Sequence, residues 1–263
     1  MKAPDGTVYD LIGPVDAPAI ALIHGLGTCR HLWLSHLPAL TTRYRVLNYD
    51  LYGHGDSPPP PAEASLTVYA DQLAKLMDHV GIESAAIVGF SIGGMINRRF
   101  AMDHAQKASA LAILNSPHDR GEAAQKLVED RAKSVREQGA LSTMEAALDR
   151  WFTPEYRSGN ARVQQLFRDW RVMADPESYA QAAWVLANGV RELTIPNSGI
   201  ESPTLVMTCE NDSGSTPAMS SAIAAQIDGA ETLILPRLQH LGLTEEPEAF
   251  TAPILEFLDR TIR

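Results

Sequence analysis

This chain of 263 residues has few cysteines and no net positive charge. The two cysteines, Cys29 and Cys209, lie far apart and lack metal-type spacing, so neither a disulfide framework nor a metal site is expected. The net charge of −10 opposes contact with phosphate backbones, so no nucleic-acid partner is expected. No apolar run approaches the roughly 20 residues that a membrane-spanning helix needs, so no membrane partner is expected either.

The composition that remains is typical of a folded protein. Apolar residues make up 45% of the chain and charged residues 21%. Residues 1–10 contain no apolar run of the signal-peptide kind. Together with the low cysteine content, this predicts a cytoplasmic protein.

Short apolar runs alternate with helix-period segments, which predicts a mostly parallel sheet with crossover helices. The predicted strands are 8–12, 19–23, 45–49, 85–89, 110–114, 204–208 and 232–235. Several of these runs are almost continuously apolar, as expected for strands that are buried on both faces. Helices are predicted at 67–80 and from Ser91 to about 104.

The stretch from 117 to 196 has a different pattern, with no strand and four consecutive helices. These helices are predicted at 122–138, 141–151, 160–173 and 176–188. Asp175 before Pro176 is a favourable helix start, with the aspartate as N-cap. We interpret 117–196 as a helical cap inserted into one sheet domain, which is formed by 1–116 and 197–263.

The segment Gly89-Phe-Ser91-Ile-Gly93 follows an apolar strand and opens a helix. A serine on such a sharp turn adopts a strained backbone, so the residues two positions away on each side must be small. The alternative is a tight glycine turn with an incidental serine. A dinucleotide loop is excluded, because the pattern is not Gly-x-Gly-x-x-Gly and falls after the fourth strand. Ser91 is therefore the candidate nucleophile.

A nucleophilic serine needs a base and an acid that orients the base. His240 follows the last predicted strand, and Asp212 follows the strand before it. The chain order serine, acid, histidine is the one that accompanies this kind of serine turn. Glu210, which lies nearer the strand end, and Asp119 are the other candidates for the acid.

The turn His24-Gly-Leu26-Gly follows the predicted strand 19–23. A glycine turn there allows a backbone amide to point at the site. We therefore expect the amides of Leu26 and Ile92 to form an oxyanion hole, with His24 supporting the loop.

With these motifs and the Asp-x-x-Gly-x-Gly-x-Ser turn at 50–57, the whole chain resembles the α/β-hydrolase superfamily. Within it, the chain is similar to the 3-oxoadipate enol-lactonase group. That resemblance rests on residues 24–28, on Gly-Gly-Met at 93–95 and on Trp151-Phe152. Cys209 departs from the pattern, since many relatives carry glycine there.

The resemblance implies the α/β-hydrolase fold and hydrolysis of an enol-lactone, ester or related ring-cleavage intermediate in aromatic catabolism. The implied mechanism is acyl transfer, with Ser91 attacking a carbonyl, His240 as base and Asp212 orienting it. No cofactor is needed, and a small-molecule substrate is the expected partner, with a homodimer left open. The alternatives are C–C bond or amide hydrolysis, a lyase or perhydrolase, and a ligand receptor of the same fold.

Aromatic residues of the cap and the oxyanion loop are candidates for the substrate pocket. The predicted lining residues are Trp33, Trp151, Phe152 and Trp184. These side chains could instead pack the cap onto the sheet. A carboxylated substrate would favour an arginine, for which Arg98, Arg120, Arg150 and Arg157 are all candidates.

Overall fold

The strand order of the computed structural model, which describes residues 1–194 and 199–262, explains where a site can form. The described residues form a seven-stranded sheet in the order β1-β3-β2-β4-β5-β6-β7. Its strands are β1 Tyr9–Ile12, β2 Ala19–Ile23, β3 Arg45–Tyr49, β4 Ala85–Phe90, β5 Ala108–Leu114, β6 Thr204–Cys209 and β7 Glu231–Leu235. Among the pairings of these seven described strands, that of β1 with β3 is antiparallel and the others are parallel. The chain reverses its direction across the sheet between β2 and β4, which opens a crevice at their carboxyl ends.

Helices cover the sheet and fill the long connection between β5 and β6. In the described residues they are α1 Leu37–Leu40, α2 Leu66–His79, α3 Ile92–Asp103, α4 Gly121–Gln138, α5 Met144–Trp151, α6 Pro154–Gly159, α7 Ala161–Met173, α8 Pro176–Asn188, α9 Val190–Leu193, α10 Pro217–Ala224, α11 Gly242–Glu245 and α12 Pro247–Thr261. No helix within 1–194 or 199–262 has both the length and the hydropathy required to cross a membrane.

The predicted elements correspond closely to these strands and helices. Every residue of β4 is buried, as expected for a strand covered on both faces. Helix α2 begins where the Ser65 hydroxyl accepts a hydrogen bond from the Val68 amide, at 3.1 Å. The predicted architecture, a mostly parallel sheet flanked by helices, is confirmed.

The helices α4 to α9 form the cap. The four predicted helices correspond to α4, to a 3₁₀ turn at Ala140–Thr143 with α5, to α7 and to α8. The Asp175 carboxylate accepts a hydrogen bond from the Ser178 amide at 2.8 Å, which confirms the predicted N-cap. The short helices α6 and α9 were not predicted, because fewer than two turns carry no readable period. The division of the chain at 196 and 197 lies outside the described residues and stays a prediction.

The cap is joined to the loop that follows β7. The Leu241 amide donates to the Trp151 carbonyl at 2.8 Å. The Thr153 amide and hydroxyl both donate to the Glu245 carboxylate, at 2.8 and 2.6 Å. The end of α5 therefore has a fixed position relative to the His240 loop.

The turn from β4 into α3 depends on close backbone contacts. Ser91 has φ 59° and ψ −115°, a conformation that residues other than glycine rarely adopt. A Cβ atom added to Gly89 would lie 2.1 Å from the Gly93 carbonyl oxygen, and one added to Gly93 would lie 2.4 Å from the Ile23 carbonyl oxygen. Both glycines are therefore required by backbone packing, as the sequence predicted.

We expect Gly89→Ala to lower the free energy of unfolding by about 3 kcal/mol, because backbone atoms cannot move aside for the new methyl group. Urea unfolding followed by circular dichroism measures the loss. Gly159→Ala is the matched control, since no atom lies within 4 Å of a Cβ at that position. Equal stability of the two variants would contradict this account of the turn.

Candidate active site

A cavity lies between the carboxyl ends of the strands and the cap. Its volume is about 1020 Å³, including its open mouth. Its walls on the sheet side include Gly25, Leu26, Phe90, Ser91, Asp212, Ser213, His240 and Leu241. The structure thus brings the three candidate catalytic side chains and Leu26 to one cavity.

Ser91 occupies the strained turn described above and is 7% exposed. Its amide donates to the Leu114 carbonyl at 2.8 Å, which joins the turn to the end of β5. A residue in a sparsely populated backbone region costs about 1–3 kcal/mol and persists only where its surroundings enforce it. Such strain is common at functional sites, and here it sets a hydroxyl at the wall of the cavity.

Asp212 and His240 form a close pair at the wall of the same cavity. The distance from His240 Nδ1 to Asp212 Oδ2 is 2.7 Å, and the carboxylate side chain is 1% exposed. The other carboxylate oxygen, Oδ1, accepts from the amides of Gly214 and Ser215, each at 2.9 Å. Because Asp212 engages Nδ1, Nε2 is the imidazole nitrogen available for proton transfer.

The charge of Asp212 is favoured in spite of its burial. Burial by itself would raise the pKa of this carboxyl group. The His240 charge, the hydrogen bonds from His240 and Asn115, and the Ser215 amide together hold the pKa of Asp212 below its usual value. Asp212 is therefore ionised at neutral pH.

The other two candidate acids lie elsewhere. The exposed Glu210 accepts a hydrogen bond from the Arg237 amide at 2.9 Å. The exposed Asp119 accepts one from the Gly121 amide, also at 2.9 Å. Neither carboxylate is paired with His240.

Two aromatic rings flank the His240 imidazole. The Phe90 ring centroid lies 5.0 Å from the imidazole centroid. The Trp151 indole, from the end of α5, lies at 6.4 Å with an interplanar angle of 30°. These contacts and the Asp212 hydrogen bond restrict the orientation of the imidazole.

The loop after β2 approaches the serine closely. A Cβ atom added to Gly25 would lie 2.9 Å from the Phe90 ring and 3.6 Å from Ser91 Cβ, and Leu26 lines the cavity. Ile92 is the first residue of α3, and the first amides of a helix have no partner within it. Both proposed oxyanion amides therefore belong to segments that adjoin Ser91.

The His24 side chain supports this loop through hydrogen bonds to the backbone. Its Nε2 accepts a hydrogen bond from the Leu51 amide at 3.0 Å, so its Nδ1 carries the proton and donates to the Gly25 carbonyl at 2.9 Å. Complete burial, followed by repulsion from His54, lowers the pKa of His24 to about 3. His24 is therefore neutral and holds the turn in place.

One of the four aromatic residues predicted for substrate binding lies at the cavity. Trp151 lines the cavity, whereas the other three do not lie among its described lining residues. Trp33 is buried against His36, and Phe152 is buried against Phe167. Trp184 is 42% exposed on α8. Cap packing, which helical periodicity does not reveal, decides which rings reach the cavity.

Arginines form much of the cap side of the cavity. Among the described residues, its lining includes Arg120, Arg131, Arg150 and Arg171. Arg98 lies outside it, with its guanidinium donating to the Pro117 carbonyl at 2.7 Å, and Arg157 is paired with Asp149. Arg120 and Arg150 were among the sequence candidates, but Arg131 and Arg171 were not.

Asn115, which follows β5 with φ 46°, was not predicted from the sequence as a site residue. Its side-chain amide donates to Asp212 Oδ2 at 2.9 Å and to the Thr208 hydroxyl at 3.4 Å. Asn115 thus supports the carboxylate on the oxygen that also faces His240. An asparagine just after a buried strand was the only signal, and it does not reveal a partner 97 residues away.

Comparison with known proteins agrees with this architecture. A family model described as "alpha/beta hydrolase fold" matches residues 18–247. The chain therefore belongs to the α/β-hydrolase family, and it is a hydrolase.

Individual relatives share nearly the whole length of the chain. The crystal structure of the enol-lactonase from Burkholderia xenovorans LB400 superposes with a TM-score of 0.88 at 31% identity, covering 96% of each chain. The chain is 26% identical to 3-oxoadipate enol-lactonase 2 of Acinetobacter baylyi, over 96% of this chain and 92% of that one. It is 25% identical to (E)-2-((N-methylformamido)methylene)succinate hydrolase of the same organism, over 92% and 90%.

The Asn115 contact predicts how the fold responds to acid. Asp212 stabilises the fold above its unfolded-state pKa, and this contribution is lost as pH falls through its lowered folded-state pKa. Asn115→Asp tolerates the same backbone conformation but replaces a donor with a like charge. The pKa of Asp212 rises, so acid unfolding begins at a higher pH and about 2 kcal/mol of stability is lost at pH 7.

Acid titration and urea unfolding of Asn115→Asp, followed by circular dichroism, measure these shifts. Asn211→Asp is the matched control, because Asn211 is exposed on the Asp212 loop and its side chain donates to the Arg237 carbonyl, not to Asp212. An unchanged acid midpoint for Asn115→Asp would show that Asn115 does not stabilise the ionised Asp212.

Proposed function

We propose that the protein is a serine hydrolase in which Ser91 is the nucleophile, His240 the base and Asp212 the orienting acid. The observation that carries this proposal is the 2.7 Å pair of Asp212 and His240 on the same cavity as a serine held at φ 59°. This arrangement supplies a nucleophile, a base and a charge that stabilises the protonated base.

The proposed reaction is acyl transfer. His240 Nε2 removes the Ser91 hydroxyl proton while Ser91 Oγ attacks the substrate carbonyl, and the amides of Leu26 and Ile92 donate to the developing oxyanion. The protonated imidazole then gives the proton to the leaving oxygen, and an acyl-enzyme remains. Water, activated by the same imidazole, releases the acid and restores the serine.

The substrate proposed for this reaction is a small enol-lactone, ester or related ring-cleavage intermediate of aromatic catabolism. The names of two relatives, both enol-lactonases, support a lactone. The cavity supports a small molecule, because it lies between the sheet and the cap, with Trp151 at 6.4 Å from the His240 ring. Hydrolysis of an amide or C–C bond by the same residues is the second candidate, since another relative is named as a hydrolase of an N-methylformamido compound.

The cytoplasm is the compartment proposed for this activity. Cys29 and Cys209 are both free and buried, which suits a reducing environment. Burial raises the pKa of each thiol to about 12, so neither competes with Ser91 as a nucleophile at neutral pH.

Ser91→Ala is expected to lower kcat/KM by at least about 10³-fold, because the oxyanion donors remain but no acyl-enzyme can form. The measurement uses a panel of p-nitrophenyl acetate, enol-lactones, a ring-fission diketone and an amide. Ser158→Ala is the matched control, since Ser158 is exposed on α6 and donates to the Glu155 carbonyl.

The panel also separates the remaining hypotheses. The preferred compound identifies the bond that is cleaved, and solvent oxygen in the acid product distinguishes hydrolysis from a lyase reaction. Turnover of every panel member by Ser91→Ala at the wild-type rate would contradict the proposal. Absence of any turnover by the wild type would favour the receptor hypothesis instead.

A further inference from the structure

Three helices of the cap each contribute one arginine to the cavity above His240. Arg131 belongs to α4, Arg150 to α5 and Arg171 to α7. The positive charges of Arg131 and Arg171 both act on the Arg150 guanidinium. Folding thus concentrates like charges from separate parts of the chain in one place.

These arginines differ from Arg136 and Arg168, which have acidic partners. At the cap surface Arg168 pairs with Glu145 at 2.9 Å, and Arg136 pairs with Glu177 at 3.0 Å. Within the part of the chain that the structure describes, none of the three cavity arginines forms an ion pair. Burial, followed by repulsion from Arg131, lowers the pKa of Arg150 to about 10. Arg150 therefore remains cationic at neutral pH.

Arg171 is the most buried of the three, at 3% exposure. Its guanidinium lies 5.0 Å from the Trp151 ring centroid and 5.6 Å from that of Tyr179, so its orientation is restricted. Nη1 makes only long contacts, at 3.3 Å to the Thr143 hydroxyl and 3.4 Å to the Ala140 carbonyl, and the buried Nε has no acceptor among the described residues. A buried N–H without a partner costs about 1–3 kcal/mol, which a bound anion would offset.

Arg120 is different, because backbone carbonyls of the protein accept its hydrogen bonds. Its guanidinium donates to the Leu186 and Ala187 carbonyls, at 3.0 and 3.3 Å, near the end of α8. The charge of Arg120 therefore caps a helix. Arg150 makes one such bond, from Nε to the Ala146 carbonyl at 3.0 Å. Among the described residues, the charges of Arg131, Arg150 and Arg171 have no acidic partner.

We propose that Arg131, Arg150 and Arg171 form a subsite for the carboxylates of a dicarboxylate substrate. The charge of Arg120 is opposed by that of Asp119. The other three guanidinium charges, less the single charge of Asp212, leave a charge of +2 that two carboxylates balance and one does not. The planar guanidinium groups suit carboxylate oxygens. The inference rests on the proposed function in one respect, that the ligand is the molecule hydrolysed at Ser91.

Binding to Ser91→Ala protein tests the subsite without any catalytic step. Calorimetric titration at low ionic strength compares succinate and glutarate with butyrate, which has a similar size and one charge. The dicarboxylates are expected to bind at least about tenfold more tightly than butyrate. In the same background, Arg150→Gln is expected to weaken succinate binding by about tenfold to a hundredfold.

Controls separate charge loss from damage to the fold. Arg168→Gln removes a paired surface arginine and is expected to leave the succinate Kd unchanged. Arg131→Gln changes an exposed side chain, so the test survives if Arg150→Gln does not fold. Equal Kd values for succinate and butyrate, or an unchanged succinate Kd in both cavity variants, would overturn the subsite.

The outcomes also distinguish this inference from the proposed function. Ester hydrolysis that needs Ser91, without arginine-dependent binding of a dicarboxylate, overturns the subsite and retains the serine mechanism. Arginine-dependent binding of succinate, with no Ser91-dependent turnover, retains the subsite and overturns the mechanism.

Discussion

The backbone conformation of Ser91 constrains much of what surrounds it. At φ 59° the chain turns sharply between β4 and α3, and this turn requires Gly93 to pass close to the Ile23 carbonyl and Gly89 to lie against Gly93. The Ser91 amide is held by the Leu114 carbonyl. The turn thereby fixes the relative positions of the ends of β2, β4 and β5, which form one side of the cavity. Its strain, about 1–3 kcal/mol, is offset by the buried strands on both sides.

A second constraint is the buried charge of Asp212. The structure stabilises it with the amides of Gly214 and Ser215, the Asn115 side chain and the His240 imidazole. These donors come from the loops after β5, β6 and β7. The carboxylate therefore links three strand ends, and its orientation of His240 depends on the register of the sheet.

The cap opposes this negative charge with positive charge. The pKa of Arg150 is lowered by burial and by its arginine neighbours, whereas the Asp212 charge acts in the opposite direction. The cavity is thus acidic near the sheet and basic under the cap. A polarity of this kind would orient an anionic substrate with its carbonyl towards Ser91 and its carboxylates towards the cap.

Local sequence was enough to predict much of the fold. The glycines around Ser91 and the apolar runs of the strands are signals that lie within a few residues. The chain order of Asp212 and His240 is also read directly from the sequence. The role of Asn115 could not be predicted from the sequence, because its contact with Asp212 depends on the pairing of β5 with β6. Trp33 and Phe152 were predicted at the pocket because composition cannot distinguish an aromatic core residue from a lining one. Arg171 was missed because its access to the cavity depends on how α7 packs over α5.

The most direct test of the serine mechanism is covalent labelling with a fluorophosphonate, read by intact mass and peptide mapping. The account predicts one adduct per chain, located at Ser91, with labelling abolished in Ser91→Ala and strongly slowed in His240→Gln. An adduct on another residue, or wild-type protein that stays unlabelled while it hydrolyses esters, would contradict the assignment of Ser91 as the nucleophile.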